Sequence, residues 1–181
     1  MLYNKLFMKS EISLPPDNIT LLICRHAKSS WASAGLSDFD RPLNERGERD
    51  ASEMGRRLVR HRLRPDLIMT SPAARALATA LHYASHLGIP PDQVIRNPEQ
   101  YAASVPELLS LIRKTDPGVS TLMLVGHNPE STGLANELGG LNIDNIPTCG
   151  IAAIAFPQCT WADLTPGSGV LLFFDYPKKQ M

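Results

Sequence analysis

Two patterns of hydrophobic positions alternate along the chain. The first consists of short runs of consecutive apolar residues, which are typical of strands buried on both faces of a sheet. They predict six strands, at residues 19–24, 67–70, 94–95, 121–125, 151–156 and 170–174. In the second pattern apolar positions recur every three or four residues, which predicts helices at residues 44–61, 72–87, 106–114 and 129–138. This alternation predicts an α/β fold, a single three-layer α/β/α domain with a mostly parallel central sheet.

Two of the predicted helices start with the same local signature directly after a strand. Ser71 is followed by Pro72, and Asn128 is followed by Pro129. Serine and asparagine are favoured N-cap residues, and proline is favoured in the first helical turn. We therefore expect Ser71 and Asn128 to cap these helices.

The alternating pattern defines the extent of the predicted domain. It covers residues 19–176, preceded by an N-terminal extension at residues 1–18 and followed by a C-terminal tail at residues 177–181. Residues 1–7 lack the long apolar core and the cleavage site of a signal peptide. No stretch approaches the roughly 20 apolar residues of a membrane-spanning helix. We expect a cytoplasmic protein without a membrane partner.

Composition narrows the classes of partner. Apolar residues make up 43% of the chain and charged residues 20%, as is usual for globular proteins. Eighteen basic and eighteen acidic residues balance, so no global field attracts nucleic acid. Three scattered cysteines do not form a disulfide framework, which favours a reducing compartment. We expect a monomer that does not bind nucleic acid.

Reactive side chains follow three of the predicted strands. Arg25 and His26 come directly after the first strand, Arg75 follows the second, and His127 follows the strand at 121–125. The carboxyl ends of parallel strands meet at one edge of the sheet, where ligands bind in open α/β folds. Two arginines, two histidines and nearby helix N-termini suit a dianion, and phosphoryl is the natural candidate.

Other polar groups have alternative interpretations. His82 and His86 have a spacing that can bind a metal, but no third ligand is evident, so we expect surface histidines and no metal site. Trp31 either forms part of a substrate rim or anchors its loop to the core. Asp40 is expected to pair with Arg41 or to cap the helix that follows.

A cluster of arginines lies at the end of the first predicted helix. It consists of Arg56, Arg57, Arg60, Arg62 and Arg64. Acidic residues precede it, so a solvated, salt-bridged face is the first interpretation. Docking of an acidic protein is the second, and nucleic-acid binding is a distant third.

Five sequence blocks, in the same order, resemble the histidine phosphatase superfamily and its branch of SixA-type phosphohistidine phosphatases. They lie at residues 22–31, 40–47, 71–76, 125–129 and 147–150. The blocks span nearly the whole chain from residue 19 to residue 175, and as a set they are highly specific. The resemblance implies a phosphoglycerate mutase-like fold and a phosphatase.

The resemblance also implies roles for particular residues. His26 would be the nucleophile that accepts the phosphoryl group, and Arg25, Arg75 and His127 would bind its oxygens. Neighbouring arginines agree with this role, because they lower the pKa of a histidine and keep it neutral for attack. They also neutralise charge on the transferring group, so we expect neither a metal nor another cofactor. Ser29 and Asn128 are further candidates for substrate binding.

The proton donor is one point at which this chain departs from the superfamily that it resembles. Some branches carry an aspartate directly after the second histidine, where this chain has Asn128. Others use a downstream glutamate, for which Glu99 is the nearest match and a possible general acid. Because a phosphoimidazole departs readily once its ring is protonated, a site without a strong acid favours phosphohistidine on a protein. The alternatives are a phosphomonoesterase acting on a small phosphorylated metabolite and a non-catalytic module that binds phosphoproteins.

Overall fold

A computed structural model describes residues 18–32 and 35–179 of the chain. Six strands form one sheet: β1 (Asn18–Arg25), β2 (Leu67–Thr70), β3 (Val94–Arg96), β4 (Thr121–Gly126), β5 (Ile151–Pro157) and β6 (Val170–Asp175). Four α-helices accompany them: α1 (Glu45–Arg60), α2 (Ala74–His86), α3 (Val105–Arg113) and α4 (Glu130–Gly139). Three short 3₁₀ turns lie at Pro91–Gln93, Pro98–Gln100 and Trp161–Asp163. All ten predicted strands and helices are present, and no end is shifted by more than two residues.

The sheet has the strand order β3-β2-β4-β1-β5-β6. The pairs β3–β2, β2–β4 and β4–β1 are parallel, whereas β1–β5 and β5–β6 are antiparallel. Five strands therefore run in one direction and only β5 runs against them. The carboxyl ends of β1, β2 and β4 lie side by side at one edge of the sheet.

Helices cover both faces of this sheet. Successive residues of β1 alternate between the faces, so that Leu21 and Ile23 belong to the core beneath α3 and α4. Leu22 and Cys24 belong to the core beneath α1 and α2. This arrangement confirms the predicted three-layer α/β/α fold with a mostly parallel sheet.

The predicted helix caps are wrong. Helix α2 begins at Ala74 with Ala73 as its N-cap, and α4 begins at Glu130 after Pro129. Neither N-cap residue makes a side-chain capping bond. The hydroxyl of Ser71 accepts from the N–H of Ala73 at 3.4 Å, before the first residue of α2, and also lies 2.8 Å from Nε2 of His127. The side-chain amide of Asn128 donates to Asn145 Oδ1.

The arginine cluster is only partly a solvated face. Arg57 is 8% exposed, and its guanidinium donates to Asp175 Oδ1 at 3.0 Å and to the carbonyl oxygens of residues 176, 177 and 179. Arg56 is exposed and pairs with Glu53, as a salt-bridged face requires. One member of the cluster thus attaches the C-terminal residues to α1.

The predicted N-terminal extension lies outside the described residues, except for Asn18, which starts β1. Among the described residues, none of the helices combines the length and hydrophobicity needed to cross a bilayer.

Candidate functional site

A cavity of about 200 Å³ lies at the sheet edge where β1, β2 and β4 end. Strand β4 and the start of α4 supply one wall, and the loop before α1, the first turn of α2 and the loop before α3 supply the others. The lining residues are Asp38, Arg75, residues 100–103, Leu108, Leu124, Gly126, His127, Asn128, Glu130 and Ser131. The strand-end residues Arg75 and His127 therefore meet in one place, as the parallel sheet predicts.

His26 lies beside this cavity in a fixed orientation. Its ring Nδ1 is 2.7 Å from the carbonyl oxygen of Ala27, an acceptor, so Nδ1 carries the hydrogen and Nε2 carries the lone pair. Its backbone N–H donates to Gly126 O, and its carbonyl accepts from the N–H of Cys149. The N–H at Nε of Arg75 donates to Nε2 of His26 at 3.2 Å. The reactive nitrogen therefore faces the arginine that would bind a phosphoryl group.

Both site histidines are neutral at physiological pH. Burial lowers the pKa of His26 to about 3, and Arg75, Arg25 and, once protonated, His127 act in the same direction, against the hydrogen bond to Ala27. Burial, followed by Arg75, lowers the pKa of His127 to about 4. A neutral imidazole with a free lone pair is the form that attacks phosphorus.

Arg75 is the centre of the site's hydrogen bonding. It is 7% exposed, although sequence periodicity shows only that it lies off the apolar stripe of its helix. Nη1 donates to the carbonyl oxygen of Asp38, and Nη2 donates to Oδ2 of the same residue at 2.9 Å. Nη2 also lies 3.5 Å from Nδ1 of His127. Asp38 thus orients Arg75 between the two histidines.

Asp38 is held by a second arginine. Its Oδ1 accepts from Nη1 of Arg41 at 2.7 Å. The hydrogen bond from Arg41, together with Arg75, lowers the pKa of Asp38, so its carboxyl is ionised and cannot donate a proton at neutral pH. The expectation that Asp40 pairs with Arg41 or caps α1 is wrong. Asp40 accepts instead from the hydroxyl of Ser37, and Asn44 caps α1.

Arg25 and Asn128 share one loop as their partner. Both donate to Asn145 Oδ1 and to the carbonyl oxygen of Ile146, Arg25 at 3.2 and 2.8 Å and Asn128 at 2.8 and 3.1 Å. Nothing in the sequence of this loop marks Asn145 as a site residue. The loop fixes two of the predicted site side chains beside the cavity.

Unpaired buried polar atoms concentrate around this cavity. Among the described residues, six buried side-chain atoms have no protein partner: Oδ1 of Asn128 and both amide atoms of Gln100, which line the cavity, Nε of Arg25 beside it, and Oδ1 of Asn18 and Oγ1 of Thr115 elsewhere. An unpaired buried polar group typically costs about 1–3 kcal/mol. Three such residues at one cavity indicate a site built to receive a polar ligand.

His127 is supported by residues from two other elements. Its Nε2 lies 2.8 Å from the hydroxyl of Ser71, the residue that sequence reasoning assigned to capping. The ring of Tyr101 meets it edge-on, with centroids 5.9 Å apart. The rings of His26 and His127 lie 5.1 Å apart. The two histidines are thus neighbours with separate supports.

Two predicted site residues are not brought into this group. Ser29 is buried, and its hydroxyl accepts from Nη2 of Arg41 at 2.6 Å. Glu99 is exposed in the turn Pro98–Gln100 and is not among the residues that line the cavity. The carboxylates that do line it are Asp38 and Glu130.

Trp31 does not anchor its loop in the core. Its side chain is 75% exposed, and the guanidinium carbon of Arg41 lies 3.3 Å from the ring centroid. This cation–π contact with Arg41 holds the Trp31 ring at the surface.

The residues considered for a metal are engaged elsewhere. His82 pairs with Glu48 at 2.5 Å, and His86 lies 2.9 Å from the hydroxyl of Ser52. Across residues 18–32 and 35–179, no cluster of three histidine, cysteine or acidic residues is placed to hold a metal ion.

Comparison with known families agrees with this geometry. The sequence profile of the histidine phosphatase superfamily (branch 1) matches residues 21–100. An uncharacterised protein of Mycobacterium tuberculosis is 33% identical over 165 residues, which cover 85% of this chain and 99% of that protein. A 2,3-bisphosphoglycerate-dependent phosphoglycerate mutase of a Chelativorans species is 35% identical over 80 residues, covering 43% of this chain and 39% of the mutase.

Solved structures share the whole fold. One from Agrobacterium tumefaciens, whose assignment as the phosphohistidine phosphatase SixA is itself a proposal, is 32% identical with a TM-score of 0.73. The match covers 90% of this chain and 99% of the Agrobacterium chain. A second structure, of the protein histidine phosphatase SixA complexed with tungstate, matches with a TM-score of 0.74. The match covers 88% of this chain and 97% of that one, and at 23% identity it is evidence for a shared fold only.

Proposed function

We propose, since this chain belongs to the histidine phosphatase superfamily, that it hydrolyses phosphohistidine on a protein through a covalent intermediate on His26. One observation carries the proposal. The neutral, lone-pair-bearing Nε2 of His26 faces Arg75, while the residue after His127 is an amide and not an acid. The resemblance to the Agrobacterium structure over nearly the whole chain supports the same substrate class.

In the first step Nε2 of His26 attacks phosphorus, and the bond from phosphorus to the substrate imidazole breaks. Arg75, Arg25 and His127 surround the transferring group and offset its charge. A bound dianion raises the pKa of His127, because the added negative charge favours the imidazolium form. His127 then becomes a donor to a phosphoryl oxygen.

The leaving group explains why no strong acid is needed at this step. A phosphoimidazole takes its proton on the other ring nitrogen from solvent and departs as neutral imidazole. An alkoxide, in contrast, needs a proton on the departing oxygen. Asn128 cannot supply one, and Asp38 is ionised. Of the two described carboxylates that line the cavity, only Glu130 is then left to serve an oxygen leaving group, whereas a nitrogen leaving group needs neither.

In the second step water attacks the phosphorus of phospho-His26. The bond from phosphorus to Nε2 breaks, inorganic phosphate leaves with the proton balance made up by solvent, and neutral His26 is restored. The hydrogen bond from Nδ1 to Ala27 keeps the ring in place through both steps.

The substrate class is tested by comparing kcat/KM for free phosphohistidine and for a phosphohistidine peptide with that for sugar and nucleotide monophosphates. We expect phosphohistidine to be preferred by at least about 100-fold, and His26→Ala to lose activity on all of them. Equal or faster ester hydrolysis would overturn the substrate assignment. Tight phosphate binding without any turnover would identify a non-catalytic binding module.

A small-molecule phosphomonoesterase is the second candidate, and the position of Glu130 favours it. This half-buried carboxyl lies at the first residue of α4 and lines the cavity with His127. Glu130 therefore replaces the exposed Glu99 as the candidate acid. If it protonates an ester oxygen, Glu130→Gln lowers kcat for esters by about 10²–10⁴-fold. Under the phosphohistidine proposal, the same variant leaves phosphohistidine hydrolysis within about three-fold of the native rate.

A further inference from the structure

Exposed large apolar side chains are concentrated in the two loops that contribute Asp38 and Tyr101 to the cavity. In the part of the chain that the structure describes, seven are exposed: Trp31, Leu36, Phe39, Val59, Ile95, Tyr101 and Val170. Four of these seven lie in the two loops that border the cavity, at positions 31, 36, 39 and 101. Apolar residues scattered over a surface need no explanation, whereas a concentration beside a site marks an interaction surface.

Three of these side chains form an aromatic rim, which we define as Trp31, Phe39 and Tyr101. Phe39 meets Tyr101 edge-on with centroids 5.0 Å apart, and Tyr101 in turn meets His127. Trp31 is joined to the cavity through Arg41, which pairs with the cavity residue Asp38. The rim is thus continuous with the site.

Hydrogen bonds hold the loop that carries Trp31 and Phe39 in place. Arg41, beneath Trp31, is 8% exposed and donates to the hydroxyl of Ser29 and to the carbonyl of Ser30, at 2.6 and 2.9 Å. The carbonyl of Phe39 accepts from the N–H of Ala74 at the start of α2. Pre-organised aromatic side chains bind a partner at a small entropic cost.

The size of the cavity leaves most of a protein substrate outside it. At about 200 Å³ it is smaller than the roughly 300–1,000 Å³ of clefts that enclose drug-sized ligands. A phosphoimidazole group fits such a volume, and the protein that carries it must then lie on the surrounding surface. That surface is the aromatic rim.

We propose that the aromatic rim is the docking surface for the protein substrate and selects partners with apolar side chains beside the phosphohistidine. This inference rests on the proposed function. Tryptophan and tyrosine dominate the energetics of protein interfaces, where they pack against apolar side chains.

The test uses two phosphohistidine peptides of equal length, phosphorylated chemically with phosphoramidate. One has leucines on both sides of the phosphohistidine, and the other has serines. We expect the native chain to hydrolyse the leucine peptide with a kcat/KM about ten-fold higher. Trp31→Ala and Phe39→Ala should each reduce this ratio to near one. Val170→Ala, an exposed apolar residue on β6, is the matched control and should leave the ratio unchanged.

Free phosphohistidine separates the two proposals. If the native chain hydrolyses it but shows no preference between the peptides, the docking proposal is overturned and the proposed function stands. A preference that survives in both rim variants overturns the docking proposal in the same way. If the native chain hydrolyses neither free phosphohistidine nor the peptides, the proposed function itself fails.

Discussion

At the scale of single residues, the site depends on keeping His26 neutral, with the lone pair on Nε2 beside Arg75. The carbonyl of Ala27 fixes the tautomer, and burial together with nearby cations prevents protonation. The same surroundings place a positive charge, Arg75, beside the reactive nitrogen. A nucleophile and an anion site are thus produced by one set of contacts.

This arrangement makes stability depend on pH. The pKa of His26 is about 3 in the folded protein and about 6.5 when unfolded, so only the unfolded state binds this proton between those values. The free energy of unfolding is therefore highest above pH 6.5 and falls as the pH drops towards 3. Between pH 7 and 5, we expect the native chain to lose about 1–2 kcal/mol more than His26→Asn, measured by chemical denaturation. Parallel pH profiles of the two proteins would contradict the depressed pKa.

Sequence identifies the main site residues but not their contacts. Arg25, His26, Arg75 and His127 stand at strand ends, and sequence order is enough to bring them to one edge. Asn145 belongs to a loop without a pattern of its own. Its bonds to residues about 120 and 17 positions away depend on tertiary structure.

At the scale of elements, strands were predictable because both faces of the sheet are buried. Runs such as Leu122–Val125 are apolar at every position, so the strand can be recognised from its own residues. Helix starts were less predictable, because capping is a local preference that a distant partner can override. Ser71 lies against His127, 56 residues away, and Asn128 bonds to the loop at Asn145.

Close packing of α1 against the loop after His26 gives a second prediction. A side chain at Gly47 would overlap the backbone carbonyl of Lys28, whose oxygen accepts from the N–H of Asn44. Gly47→Ala should displace this loop, destabilise the protein by about 1–3 kcal/mol and lower kcat/KM. Thermal unfolding and steady-state kinetics measure the two effects.

Gly35→Ala is the matched control, since a side chain there meets no atom of the described residues within 4 Å. It should change the free energy of unfolding by no more than about 0.5 kcal/mol. Equal stability and activity of the two alanine variants would show that the contact with Lys28 does not position the loop.

At the scale of the whole molecule, one buried arginine joins the first helix to the last strand. Arg57 of α1 contacts Asp175 at the end of β6, and both side chains are at most 10% exposed. Removing one partner of a buried pair leaves the other charge uncompensated. The attachment of β6 to α1 therefore depends on Arg57, which in the sequence is indistinguishable from its surface-exposed neighbours.

We expect Arg57→Ala to lower the free energy of unfolding by about 3–5 kcal/mol. Arg56→Ala, which removes an exposed pair with Glu53 and a hydrogen bond to the hydroxyl of Ser52, should cost no more than about 1 kcal/mol. Urea denaturation of both variants makes the comparison. A similar small cost for both would contradict the role of Arg57 in fastening the C-terminal residues.

The central claim is that the phosphoryl group passes through His26. Rapid quenching of the native chain with phosphohistidine, followed by mass spectrometry of its peptides under alkaline conditions, tests this most directly. We predict an acid-labile phosphoryl group on the peptide that contains His26, formed within the first turnover and absent in His26→Asn. Undiminished turnover by His26→Asn, or a phosphoryl group on a different residue, would contradict the account.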